Sequence, residues 1–284
     1  MATFEQLFRR ILTFVVGISL LLSIILFMPW INYLVLNLLV LFAILAGSWE
    51  MIGLFGKKGV NQNRGLLLLA ATLFPLATYL MTAGFIPTYL GFMSLGLAIY
   101  IILVRQIHPR SDSFSPSLTE ASAGVLIILY PGVFLSFVTR ITGLPNPSLL
   151  LIVFITLVFV NDTGAYLFGI LFGAKNRGII KASPGKSTIG FVAGIVLTLG
   201  AGAIFYVLLP EVFAHSWLLS LGCAVGVASA TILGDLVESV MKRSAEVKDS
   251  GNLIPGRGGV LDSIDSIAFS APVFYLLMFL GTKA

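Results

Sequence analysis

Nine runs of about twenty apolar residues, each ended by Pro, Gly or charge, fill most of this 284-residue chain. About 20 helical residues cross a hydrocarbon core about 30 Å thick, and in lipid only helices and closed barrels satisfy their own backbone groups. The expected spans are 11–29, 32–55, 65–83, 88–104, 122–139, 148–173, 189–209, 216–240 and 264–282, with Pro131 and Pro272 inside spans. Composition points the same way: 58% of the residues are hydrophobic and 10% charged, too little charge to cover a surface facing water. The reading is an all-α integral membrane protein of about nine transmembrane helices.

Loop charge gives the orientation, because Lys and Arg gather on the cytoplasmic side of short loops. With the N-terminus cytoplasmic, that side carries Arg9, Arg10, Lys57, Lys58, Arg64, Arg105, Arg110, Lys175, Arg177, Lys181, Lys186, Lys242, Arg243, Lys248 and Arg257, fifteen of the 17 basic residues. Only Arg140 and Lys283 fall on the other side, where the C-terminus is expected. The first segment is long and lacks a small-residue cleavage site, so it reads as a retained span. In a prokaryote this is a multi-pass protein of the inner membrane.

Several chemistries drop out. Cys223 is the one cysteine and His108 and His215 are the only histidines, which excludes an internal disulfide and a Cys/His zinc cluster. Any metal chemistry must use oxygen ligands. The net charge of +5 comes without a basic patch interleaved with aromatics, so it marks topology and not nucleic-acid binding.

The chain divides by content. Residues 1–147 read as plain membrane helices that are structural or lipid-facing, whereas 148–284 holds charged groups in or beside apolar helices and two polar cytoplasmic loops, 173–188 and 242–265. Asp162 lies within an apolar run, where a bare carboxylate costs at least roughly 2.5–3.5 kcal/mol, so it must face a partner or a wet cavity. Asp235, Glu238 and Lys242 share one face of the eighth span, with Ser239 beside them. In the last loop, Gly256, Gly258 and Gly259 suit close approach of backbone amides to a phosphate. Asp262 and Asp265, one turn apart at the start of the ninth span, could hold Mg²⁺. The lysines and arginines of that loop would meet the remaining phosphate charge. The other loop ends in Ser183-Pro184-Gly185-Lys186-Ser187-Thr188, which is not a P-loop, since Ile180 stands where its first glycine belongs. Its cluster of hydroxyls and a lysine at a helix start suggests phosphate or nucleotide contact. The pairs Gly169/Gly173, Gly190/Gly194 and Gly222/Gly226 read as helix-packing faces, within one subunit or between subunits of a homo-oligomer.

Together, Asn161-Asp162-Thr163-Gly164-Ala165-Tyr166, the Ser183-Pro184-x-Lys186-x-Thr188-x-Gly190 loop, and the run from Ser239-x-x-Lys242-Arg243 through Lys248-Asp249-Ser-Gly to Gly258-Gly259-x-x-Asp262-x-x-Asp265 resemble the phosphatidate cytidylyltransferases, or CDP-diacylglycerol synthases. The resemblance covers about 161–266 by motif and the whole chain by span pattern. Four positions depart from the usual pattern: Arg257 where histidine is common, Ser263 where arginine is, Ile189 for glutamate and Gly185 for lysine.

The resemblance implies transfer of a cytidylyl group from CTP to phosphatidic acid, forming CDP-diacylglycerol and pyrophosphate for phospholipid synthesis. Two anionic substrates need charge neutralisation more than a protein nucleophile, because the lipid phosphate supplies its own. Expected catalytic residues are Asp235, Lys242, Arg243, Lys248 and Asp262. Mg²⁺ falls to Asp235, Asp262, Asp265 and Asp249, with room for a second cation. Ser183, Lys186, Ser187, Thr188, Lys242, Arg243, Arg257, Gly258 and Gly259 are expected at the nucleotide and phosphates. Asp162, Glu238 and Ser239 support them, Asp162 either as a further cation site or as partner to a base. The rival readings are a related CTP-dependent enzyme acting on an isoprenoid or polyprenol lipid, and an ion-coupled transporter using Asp162, Asp235 and Glu238.

Overall fold

A computed structural model describes residues 4–108, 113–254 and 258–282, with side chains from residue 15 onward. Gly256 and Arg257, like the orientation-setting Arg110 and Lys283 and the side chains of Arg9 and Arg10, lie outside the described residues. The elements are α1 (Phe4–Phe27), α2 (Trp30–Lys57), α3 (Arg64–Thr82), α4 (Thr88–Arg105), α5 (Ser117–Ile127), α6 (Leu135–Ile141), α7 (Pro147–Leu171), α8 (Thr188–Leu208), α9 (Trp217–Ser244) and α10 (Leu261–Gly281). Extended pairing among the described residues is limited to two isolated bridges, Arg177 with Ser187 and Ile254 with Gly258.

Eight stretches among the described residues are long and apolar enough to cross a membrane, and α1 adds a shorter apolar stretch, Val15–Phe27. The all-α membrane fold expected from the sequence is what the chain forms. α5 and α6 make one span, Ser117–Ile141, joined by a π-helical segment, Ile128–Phe134. Pro131 sits inside that segment, and its missing N–H and bulky ring account for the widened turn.

The chain forms two compact units, residues 1–143 with 244–264, and residues 144–243 with 265–284. In the first, α2 and α3 pack with α5, the π segment and α6 around Ile44, Met51, Leu67, Phe74, Ile127, Ile128 and Tyr130. Gly132 permits the closest approach, since a Cβ there would lie 2.8 Å from the Ala71 carbonyl oxygen. Arg140, at the end of α6, stands over the rings of Phe74, Phe92 and Phe137 at 5.1–5.8 Å, a cation–π enclosure for a charge at the end of an apolar span.

In the second unit α7 and α8 pack backbone to backbone. A Cβ on Gly190 would fall 2.6 Å from the Ala165 carbonyl oxygen, and one on Gly194 2.9 Å from that of Asn161. Gly169 and Gly173 face Ser187, and Gly226 faces Val273 and Leu277, whereas Gly222 has nothing within 4 Å. Small residues let helices approach where lipid supplies no hydrophobic drive between them. Phe154 and Phe274 meet at 5.3 Å in this unit's core, beside the buried Cys223 and Met278.

Candidate functional site

The second unit gathers the acids and bases of α7, α9 and α10 with those of the 173–188 loop. Lys186, at the end of that loop, forms an ion pair with Asp235 of α9. Asp265 of α10 is buried at 6% exposure, its Oδ1 accepts from the Ser266 amide, and Asp235, Asp162 and Lys186 act on it as neighbouring charges. Gly234 makes this convergence feasible. A Cβ on it would lie 2.6 Å from the Asp265 carbonyl oxygen, so only glycine lets α9 come against α10 at this level.

One helical turn beyond Asp235, Glu238 is fully buried and pairs with Lys242 at 2.5 Å, as the spacing along one face led one to expect. Ser239 beside it is buried too. Arg243 donates from Nε to the Ala182 carbonyl at 3.3 Å, tying the end of α9 to the 173–188 loop. That loop is folded on itself: Arg177 donates to Gly169, Gly178 to Pro184, and the Lys186 amide to Ser183. Ser187 caps α8, its hydroxyl accepting from the Gly190 amide at 3.1 Å in a buried position, while Thr188, the first helical residue, is exposed. The hydroxyl expected at a phosphate thus accepts the helix's own amide, an N-cap role, and keeps its proton to donate. Asn161, next to Asp162 on α7, is 1% exposed, and among the described residues neither end of its amide has a hydrogen-bond partner.

The rest of the expected residues fall in the first unit, in the loop leading to α10. Asp262 accepts through Oδ2 from the Ser250 amide at 2.9 Å and the Gly259 amide at 2.8 Å, and shares with Glu50 of α2 the one proton of the Ser250 hydroxyl, which stands 2.9 Å from Oδ2. Gly258, at φ +107°, exchanges backbone hydrogen bonds with Ile254, a conformation natural to glycine. Lys248 and Asp249 are exposed, and Lys58 of α2 reaches Glu246 at 3.8 Å.

The sequence reading missed Glu50 of α2. Its carboxylate accepts from the Val260 amide at 2.9 Å, the Leu261 amide at 2.8 Å and the Ser250 hydroxyl at 2.8 Å. Two carboxylates, Glu50 and Asp262, therefore take the amides of 259, 260 and 261 at the start of α10, where the glycine pattern suggested a phosphate. A signal for Glu50 existed: it is the only charged residue between Arg10 and Lys57.

Residues 8–280 match the Cytidylyltransferase family. The chain belongs to this family. Among relatives, a protein of Bacillus subtilis named phosphatidate cytidylyltransferase is 32% identical over 215 residues, 75% of this chain and 77% of that one. One of the same name from Pseudomonas aeruginosa is 31% identical over 235 residues, 82% of this chain and 83% of the relative. A third, from Haemophilus influenzae, is 35% identical over 65% of each chain. The resemblance drawn from motifs in about 161–266 and from the span pattern elsewhere thus holds across nearly the whole length, and the first helices, which carried no motif, are included in the cytidylyltransferase match.

Proposed function

We propose that this membrane cytidylyltransferase transfers the cytidylyl group of CTP to phosphatidate, making CDP-diacylglycerol for phospholipid synthesis and releasing pyrophosphate. The observation that carries this is the Lys186–Asp235 pair beside buried Asp265, with Asp162 acting on the same group: acids and a base concentrated among apolar helices. A phosphate oxygen of the lipid attacks the α-phosphorus of CTP, the new P–O bond forms, and the bond to the pyrophosphate oxygen breaks. Lys186, Lys242 and Arg243 neutralise the two anionic substrates, and each is held in place by the contacts described above. Lys248 and Arg257 of the 242–265 loop are further bases, and Ser183 and Thr188 further hydroxyls, that this reading assigns to the phosphates.

The residues fit a divalent cation by donor chemistry. Among the described residues no three His, Cys, Asp or Glu side chains stand together as a closed metal site. Mg²⁺ does not need one, because it is commonly held by one or two carboxylates together with substrate phosphates and water. Asp235 and Asp265 would hold it, with Asp162 next to them. Bound there, Mg²⁺ would offset the negative charge that develops on the phosphates. Asp262 spends Oδ2 on its own loop and is assigned to holding that loop; exposed Asp249 is kept as a carboxylate for a second cation.

The diacyl substrate cannot leave the bilayer cheaply, at about 0.8 kcal/mol per CH₂ exposed, which calls for a site at the headgroup level. The orientation from loop charge puts that site on the cytoplasmic face of the inner membrane, in reach of soluble CTP. Purified protein in detergent, given labelled CTP, phosphatidate and Mg²⁺, should release pyrophosphate and form a lipid-soluble nucleotide, and EDTA should stop it. No turnover by a demonstrably folded sample would overturn the reading.

A further inference from the structure

We infer that Glu50 is a positioning residue: from α2, its carboxylate clamps the loop that carries Lys248 and Asp249 and the start of α10, which carries Asp262. Both carboxylate oxygens are used. Oε1 accepts from Val260, and Oε2 from Leu261 and the Ser250 hydroxyl, all at 2.8–2.9 Å. The two amides are unpaired within α10 because they open the helix, so an anion placed on them also meets the positive end of its dipole.

Ser250 joins this clamp to a second one. Its hydroxyl stands 2.8 Å from Glu50 Oε2 and 2.9 Å from Asp262 Oδ2, and Asp262 in turn holds the amides of Ser250 and Gly259. The loop is thereby fastened at both ends, at 250 and at 259–261. Glycine is required at two of these points for a steric reason. A Cβ on Gly251 or on Gly259 would run into the Glu50 carboxylate. Glu50 therefore accounts for glycines that otherwise look like phosphate-binding residues, and the anion at this helix start is supplied by the protein itself.

Only glutamate meets these demands. Glutamine has one acceptor oxygen, and its NH₂ would face one of the two amides donor to donor. Aspartate keeps the charge but is shorter by one methylene. The effect on turnover rests on the cytidylyl-transfer reading above; the clamp itself does not.

The test compares full-length wild type, Glu50→Gln, Glu50→Asp and Ser250→Ala in detergent, by hydrogen–deuterium exchange and by steady-state kinetics with CTP and phosphatidate. In Glu50→Gln, peptides covering 259–262 should exchange at least ten-fold faster while those of α3 stay unchanged, and KM for CTP should rise at least five-fold. Glu50→Asp should recover part of that loss. Simple loss of folded protein would lower kcat alone, so an unchanged KM with no recovery in Glu50→Asp overturns the inference. Unchanged exchange at 259–262 overturns it as well, whether or not the wild type turns over CTP. Should Glu50→Gln fail to fold, Ser250→Ala, which deletes one hydroxyl, must speed exchange at 250–252 or the clamp is wrong. A folded wild type with no turnover would instead sink the cytidylyl-transfer reading and leave exchange to decide the clamp.

Discussion

Asp235 and Lys186 come from different elements, a helix and a loop, and neither is where an ordinary surface pair would form, since both side chains are more than half covered. Removing Lys186 leaves Asp235 and buried Asp265 without the cation that offsets them, a costly state in a poorly solvated site, and removing Asp235 takes away one of the two carboxylates proposed for Mg²⁺. Asp235→Asn and Lys186→Met should each lower kcat by about 10²-fold or more, the scale seen when a transition-state charge contact is lost. The double variant should fall little further, because residues acting as a unit are not additive. Turnover near wild type in either single variant would remove that residue from the machinery. Ser187 makes the opposite case. As an N-cap, its replacement by alanine should cost about 1 kcal/mol and lower the thermal midpoint, with KM for CTP unchanged. A raised KM at unchanged midpoint would return it to the phosphate. The acids of the motifs were legible because charge is expensive among apolar residues, and so was the Glu238–Lys242 pair, whose spacing lies on one helix. The Lys186–Asp235 pair was not, because it depends on how α8 and α9 come together. Glu50 escaped because a lone acid a few residues before Lys57 and Lys58 looks like the edge of a span.

At the scale of elements, packing between α7 and α8 rests on glycine at the points where backbone meets backbone. Gly194→Val should destabilise the detergent-purified protein by roughly 1–3 kcal/mol, the usual cost of forcing extra carbons into a filled core. Gly222→Ala should be neutral or slightly stabilising, since nothing lies within 4 Å of the added carbon and alanine is the better helix former. Thermal unfolding of the two variants side by side checks both, and equal effects would mean that the α7–α8 contact is not set by glycine. The spans themselves were readable to within a few residues, with three exceptions. α1 is already helical at Phe4 and not only from near residue 11, α5 begins at Ser117 and not near 122, and α9 runs on to Ser244, past the apolar run, through the Glu238–Lys242 pair. An apolar window ends where charge begins, but a helix continues as long as its charges have partners. The widened turn at Pro131 was legible only as a proline inside a span, because a missing N–H and a ring disturb a helix without dictating the turn that results.

For the whole molecule, charge scarcity does two jobs with few residues. Fifteen of 17 bases fall in the loops assigned to one side, and eight of the 12 acids lie between 162 and 265. The same lysines and arginines that fix orientation are, in the 173–188 and 242–265 loops, those needed for anionic substrates. Sidedness and chemistry are then inseparable: reversing the chain in the membrane would turn the bases away from CTP. The single native thiol makes this measurable, because Cys223 is fully buried and gives no background labelling. In intact cells, Phe85→Cys and Glu211→Cys, both exposed in loops assigned to the outer side, should react with a membrane-impermeant maleimide. Ile179→Cys and Asn252→Cys, exposed in the two polar loops, should react only after the inner face is opened. Labelling of Ile179→Cys from outside would reverse the orientation and, with it, the argument that the bases are placed to receive a soluble nucleotide.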